Sequence, residues 1–255
     1  MLRVQFEEDL EKLHNQFYAM GNEVLTQINR TVRAFVTHDR DLARQVIEDD
    51  AEINEYEVKL ERKSFEMIAL QQPVSQDLRM VMTVLKAVSD VERMGDHAVS
   101  IARATIRMKG ELRSKVVEEE ISKMGREVKD FVEATLELYL KGDVETAYEV
   151  ATRDEKINEY YDRIQELATE EIKHNPDLII TGRDYFQVIS FLERIGDYAL
   201  VIMLKISVSG LSTSKLEKLW NYKKRKSEVM ISDFYLFVGL VLPPLTLQLV
   251  GFMLE

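Results

Sequence analysis

The sequence predicts an all-α protein built as two tandem three-helix bundles. Three observations carry that prediction. Apolar residues recur at spacings of three and four from about residue 5 to about residue 205. Helix breakers are scarce, with four prolines and ten glycines in 255 residues. Two different motifs each occur twice, in the same order and about a hundred residues apart.

Phe6, Leu10, Leu13, Phe17, Met20, Val24 and Ile28 form the apolar stripe of a first long helix. The stripe fades at Thr37-His38-Asp39-Arg40-Asp41, a run of cap-forming residues. A second helix is predicted from about Leu42 to Leu70 and is stopped by Gln71-Gln72-Pro73, because proline lacks the N–H and disfavours a helical residue before it. Ser75 is placed to cap a third helix that ends near Gly110. The fourth runs from about Lys115 to Leu140 and closes at Gly142, a natural C-cap residue. Asp143 is placed to cap a fifth, which reaches about Lys173 and is stopped by Asn175-Pro176. A sixth continues to roughly Ile206. Long helices joined by short turns pack antiparallel into bundles. The expected units are residues 1–110 and 111–206, with the boundary around Gly110–Ser114 and an atypical tail over 207–255.

Composition removes several function classes. The chain has no cysteine, which excludes disulfide scaffolds, iron–sulfur clusters, thiolate zinc sites and cysteine nucleophiles, and fits a reducing, cytoplasmic setting. A formal charge of −11 argues against nucleic-acid binding through a broad basic face. The N-terminus, MLRVQFEEDL, contains no apolar signal-peptide core. No Walker-type glycine loop, G-x-S-x-G elbow or H-E-x-x-H helix occurs, and Ser75 with Asp77 reads as a helix start. Arg79 and Arg183, near helix starts, read as solvated arginines.

The repeated motifs are the chemically suggestive part. Val91-Glu92-Arg93-Met94-Gly95-Asp96-His97-Ala98 in the third helix matches Leu192-Glu193-Arg194-Ile195-Gly196-Asp197-Tyr198-Ala199 in the sixth. Residues four apart share a helix face, so Glu92 lies beside Asp96 and Glu193 beside Asp197. Such like-charge pairs destabilise a solvated helix by roughly 0.2–0.5 kcal/mol, and more when partly buried. A cation, or an arginine such as Arg93 or Arg194, reverses the sign. Each motif also spends a glycine in a helix interior, at a cost of about 1 kcal/mol relative to alanine, which points to close approach of a helix or a ligand. The second helix contains Asp50-Ala51-Glu52-Ile53-Asn54-Glu55-Tyr56, and the fifth Asp154-Glu155-Lys156-Ile157-Asn158-Glu159-Tyr160. If these faces meet the paired carboxylates, each unit gathers up to three carboxylates and an amide oxygen, a donor set for hard cations such as magnesium, calcium, manganese or ferric iron.

DxxIN, then QQPVSQDLR, then ERMGD, followed by a second DxxIN and ERIGD, together resemble the PhoU family over roughly residues 1–200. That resemblance implies two three-helix bundles related by pseudo-twofold symmetry, and metal clusters, often iron or zinc, on the carboxylate-bearing surface. It carries ligand roles to Glu92, Asp96, Glu193 and Asp197, and less directly to Asp50 and Asp154. Asn54 and Asn158 stand where other members have a second carboxylate, which implies lower cluster affinity or nuclearity. It further implies a cytoplasmic, dimeric negative regulator of phosphate uptake and phosphate-starvation signalling. Such a regulator links the ATPase subunit of a phosphate ABC transporter to a sensor histidine kinase, and reaches the membrane only through those partners.

A rival reading is a metal-dependent carboxylate-bundle enzyme or metal store. Glu11-x-x-His14 and Glu171-x-x-His174 have the spacing of di-iron bundles, but they fall at non-equivalent places in the repeat, and surface histidines account for them better. The tail departs from the family pattern. Lys215 to Lys226 is strongly basic, and Phe234 to Leu254 gives 21 uncharged, mostly apolar positions interrupted by Pro243-Pro244. The segment is long enough for a membrane anchor. A frameshifted or read-through terminus is the favoured reading, ahead of a segment packed on the bundle or a partner and of a membrane anchor.

Overall fold

The computed structural model describes residues 2–108, 110–141 and 146–208, and no strand occurs among them. The 207–255 tail lies almost wholly outside the described residues, as do Gly142 and Asp143. No described helix is long and apolar enough to cross a membrane.

Helix α1 spans Leu2–Thr37 and buries the expected stripe of Phe6, Leu13, Phe17, Met20, Val24 and Ile28. His38 turns the chain with φ 59°, and the Asp39 carboxylate accepts the amides of Asp41 and Leu42 at 3.1 and 2.9 Å, which starts α2, Arg40–Gln71. Gln72, with φ 46°, ends α2 by donating its amide to the Ile68 carbonyl, and Pro73 prevents continuation. Val46, Ile53, Leu60 and Met67 are buried at intervals of seven, so α2 offers one narrow seam to the core.

Helix α3, Ser75–Arg107, is buried far more broadly and packs against both α1 and α2. Its expected cap is corrected. Val74 precedes the first turn without a side-chain bond, and Ser75 itself sits at φ 51°, inside the helix rather than ahead of it. Asp77 in that turn pairs with Arg3 of α1, tying the helix starts together.

The connection to the second unit is fixed by polar contacts. Arg113 lies over the Phe35 ring, donates to the Phe35 carbonyl at 3.0 Å and pairs with the buried Glu118. The Ser114 amide donates to the Tyr185 hydroxyl at 2.9 Å and its hydroxyl to Glu171 at 2.7 Å.

Helix α4 covers Lys115–Lys141. The predicted fifth helix is split into α5, Ala147–Ala151, and α6, Arg153–His174. At the joint the Thr152 hydroxyl bonds back to the Glu149 carbonyl at 2.7 Å, a local alternative to the helical ladder. Asn175 caps a 3₁₀ turn over Pro176–Leu178, and α7 runs Ile179–Val208.

Two reciprocal contacts reveal the symmetry. A Cβ on Gly21 would meet Leu136, and one on Gly125 would meet Val32. Gly21 and Gly125 are 104 positions apart, as are Val32 and Leu136, so α1 and α4 face each other through equivalent residues. Helices α3 and α7 lie antiparallel between the units: Arg107 reaches Asp184, while Lys205 pairs with Asp90 at 2.5 Å. His97 of α3 stacks on Phe191 and on Tyr198 of α7, and Tyr198 occupies the place of His97 in the second motif. One hydrophobic core runs through both units.

Candidate functional site

Each unit places the Asp-x-x-x-Asn turn of its second long helix against the glycine of the Glu-Arg-x-Gly-Asp motif. A Cβ on Gly95 would lie 3.3 Å from Ile53 Cδ1 and 3.4 Å from Asp50 Oδ1. A Cβ on Gly196 would lie 3.0 Å from Ile157 Cδ1 and 3.8 Å from Asp154 Oδ1. The glycines are therefore where the two motif-bearing helices touch, and the paired carboxylates flank that contact.

In the first unit Glu92 is half-buried and its carboxyl is pushed up to about 7. Burial is the main cause, followed by repulsion from Asp96, Glu57 and Asp50; Arg93 opposes it most weakly. The arginine of the motif thus does not neutralise its glutamate. The cluster includes Glu57, absent from the expected set, whose own carboxyl is also raised, first by burial and then by Glu61. Glu57 lies seven residues beyond Asp50, two turns along the same face, so its spacing carried the signal.

The asparagines hold the aspartates of the same turn. Asn54 donates its amide to Asp50 Oδ2 at 3.3 Å, and Asn158 donates to Asp154 Oδ2 at 3.2 Å and to the Asp154 carbonyl at 2.7 Å. In both, the amide nitrogen orients the aspartate. Gln27 of α1 was not anticipated either. It is buried and donates to Asp50 Oδ1 at 3.1 Å and to the Val46 carbonyl at 3.3 Å. Its Oε1 has no hydrogen-bond partner among the described residues. Phe131 stands 104 positions later and Tyr161 stands 104 positions after Glu57, so the second unit has a less polar version of the same corner. There Asp154 is buried at 2% exposure, with Glu193 and Asp197 half-buried on α7.

The all-oxygen, partly desolvated cluster of Glu92, Asp96, Glu57 and Asp50 has the donor chemistry of a cation site. Among the described residues, however, no group of three or more histidine, aspartate or glutamate side chains converges tightly enough to hold a metal ion as placed. Asp50, Glu57 and Glu92 are half-buried and Asp96 is exposed.

The Glu-x-x-His pairs do not form a centre. His174 is exposed at the end of α6 and bonds to the Glu170 carbonyl at 2.8 Å. His14 is not the surface residue expected: it stacks on Tyr139 of α4, whose hydroxyl meets its Nδ1 at 2.6 Å, and burial lowers its pKa. Burial, then Arg194 and Arg93, lower His97 to about 4, leaving it a neutral ring at physiological pH. Arg183 is 62% exposed beside Asp184, as a solvated arginine should be.

Fold and site together define a class: a duplicated helical-bundle protein whose two units carry equivalent carboxylate faces on their inner helices. The PhoU domain model matches residues 17–105 and 121–206, and the chain belongs to the PhoU family. It is 36% identical over 198 residues to a phosphate-specific transport system accessory protein PhoU homolog of Clostridium acetobutylicum, covering 77% of this chain and 90% of that one. It is similar to the crystal structure of the phosphate transport system regulatory protein PhoU from Streptococcus pneumoniae, with a TM-score of 0.74 and 27% identity over 83% of this chain and 98% of the other. The crystal structure of PhoU from Pseudomonas aeruginosa matches with a TM-score of 0.74 and 30% identity over 80% of this chain and 98% of that one.

Proposed function

We propose that this chain is a negative regulator of phosphate uptake and phosphate-starvation signalling, acting as an adaptor between the ATPase subunit of a phosphate ABC transporter and a sensor histidine kinase. The observation that carries this reading is the match of both units to one family. The relatives bear the names of phosphate transport accessory and regulatory proteins and are matched over most of their length. Such a role needs long helical faces and no reaction centre. It operates on the cytoplasmic side of the membrane, through partners and as a homodimer.

The carboxylate faces serve as cation sites in this reading. Glu92, Asp96 and Asp50, joined by Glu57, would hold one ion and relieve their mutual repulsion; Glu193, Asp197 and Asp154 would hold the other. Iron or zinc is the proposed metal, and manganese or magnesium also suits oxygen donors. No step of the adaptor role depends on chemistry at the ion. The test is a pull-down with the tagged chain from phosphate-replete cells, with metal content measured on the purified protein. Recovery of the transporter ATPase, and less bound metal after Glu92→Ala with Asp96→Ala, support the proposal. Absence of the ATPase refutes the adaptor role, and unchanged metal content refutes the site.

A further inference from the structure

A groove of about 810 Å³ runs along α7, with Tyr161 of α6 on its edge. Ile179, Ile180, Phe186 and Phe191 supply its apolar surface, and Ile179 and Ile180 are 61% and 52% exposed. The internal repeat provides a control for what this surface needs in order to fold. Glu92 and Glu193 are 101 positions apart, and on that register Ile180 corresponds to Arg79 and Phe191 to Asp90. On the register of Asp50 and Asp154, Tyr161 corresponds to Glu57. Three positions that are charged in the first unit are therefore apolar or aromatic in the second. Phe191 stacks on His97 and, with Phe186 and Tyr161, packs partly buried against the core, whereas Ile179 and Ile180 stand exposed, so packing within the bundle does not account for those two isoleucines. Exposed aliphatic surface bordered by partly buried aromatic rings marks a docking site.

The polar part of the groove states what docks there. Arg183 and Arg194 are both exposed and both line it; Arg183 also lies 3.6 Å from the buried Asp184, and no carboxylate lines the groove itself. A chain of formal charge −11 that presents two arginines beside an apolar groove is complementary to an apolar segment bearing acidic groups. An elongated groove along a helix fits another helix lying in it. We propose that this groove seats an acidic amphipathic helix of a partner protein, its aliphatic face on Ile180, Phe186 and Phe191 and its carboxylates on Arg183 and Arg194. The proposal rests on the adaptor reading only in requiring a protein partner.

The test is direct binding to the full chain. The probe is a fluorescent amphipathic peptide of about 18 residues, five helical turns, with leucine at i, i+3, i+4 and i+7 and glutamate on the other face. A peptide with lysine for glutamate and vesicles of anionic phosphatidylglycerol serve as competitors for the assignment. The glutamate peptide is expected to bind, to weaken with added salt, and to lose affinity by about tenfold or more in Arg183→Glu with Arg194→Glu. Ile180→Arg, which installs the residue of the first unit at an exposed position, is expected to weaken it comparably without lowering the melting temperature. No binding of the glutamate peptide overturns the proposal, as does equal binding of the lysine peptide, equal binding by the variants, or a preference for vesicles. Because the readout is peptide bound by the isolated chain, its failure leaves the role in phosphate control standing, and failure of that role leaves the groove measurable.

Discussion

Glu92 is the residue at which the electrostatics of the first unit are concentrated. Burial and the neighbouring Asp96, Glu57 and Asp50 raise its carboxyl from 4.5 to about 7. An acid whose folded-state pKa is raised contributes fully to stability below its unfolded value, and that contribution is lost as the pH rises from 4.5 toward 7. Metal-free Glu92→Gln should therefore melt like the parent at acid pH and be more stable by roughly 1–2 kcal/mol near pH 8, screening at a half-exposed position removing the rest. Equal stability at both pH values would show that the repulsion is absent. The paired motif residues were legible in the sequence because i, i+4 spacing is written along one helix. Gln27 was not, because it comes from α1, and only the packed register of α1 against α2 brings it to Asp50. His14 was misjudged for the same reason: the ring that covers it belongs to α4.

At the scale of the helix, the motif glycines set how closely the partner helix can approach. Alanine at 95 would place its methyl 3.1 Å from Gln27 Oε1 and 3.3 Å from Ile53 Cδ1, and alanine at 196 would place it 3.0 Å from Ile157 Cδ1. Overpacking costs about 1–3 kcal/mol and offsets the roughly 1 kcal/mol gained in helix propensity. Gly95→Ala and Gly196→Ala are each expected to give a net loss of up to about 2 kcal/mol in urea unfolding. A gain in stability from either would mean that the helices do not meet there. Helix number and length were readable from apolar stripes and from Pro73 and Pro176, which act locally and cannot be overridden. The α5–α6 joint was not, since Thr152 is an ordinary helical residue until its hydroxyl takes the Glu149 carbonyl. The start of α3 was misassigned because Ser75, a good cap by type, adopts a left-handed backbone inside the first turn.

Across the whole molecule, the two units are joined by reciprocal apolar contacts between α1 and α4 and by ion pairs between α3 and α7. Lys205 and Asp90 are almost fully buried, and Lys205 also donates to the Lys86 carbonyl at 2.9 Å. Removing one partner of a buried ion pair typically costs about 3–5 kcal/mol, so Lys205→Ala should be among the most damaging single changes and should lower the unfolding of both units together. Loss confined to one unit would contradict the shared core. The proposed role of this duplicated scaffold is to restrain phosphate uptake. The most direct measurement is radiolabelled phosphate uptake by phosphate-replete cells lacking the chain, with and without its restoration. Uptake is expected to stay high without the chain and to fall when it is restored; uptake that is the same in both would contradict the proposed role.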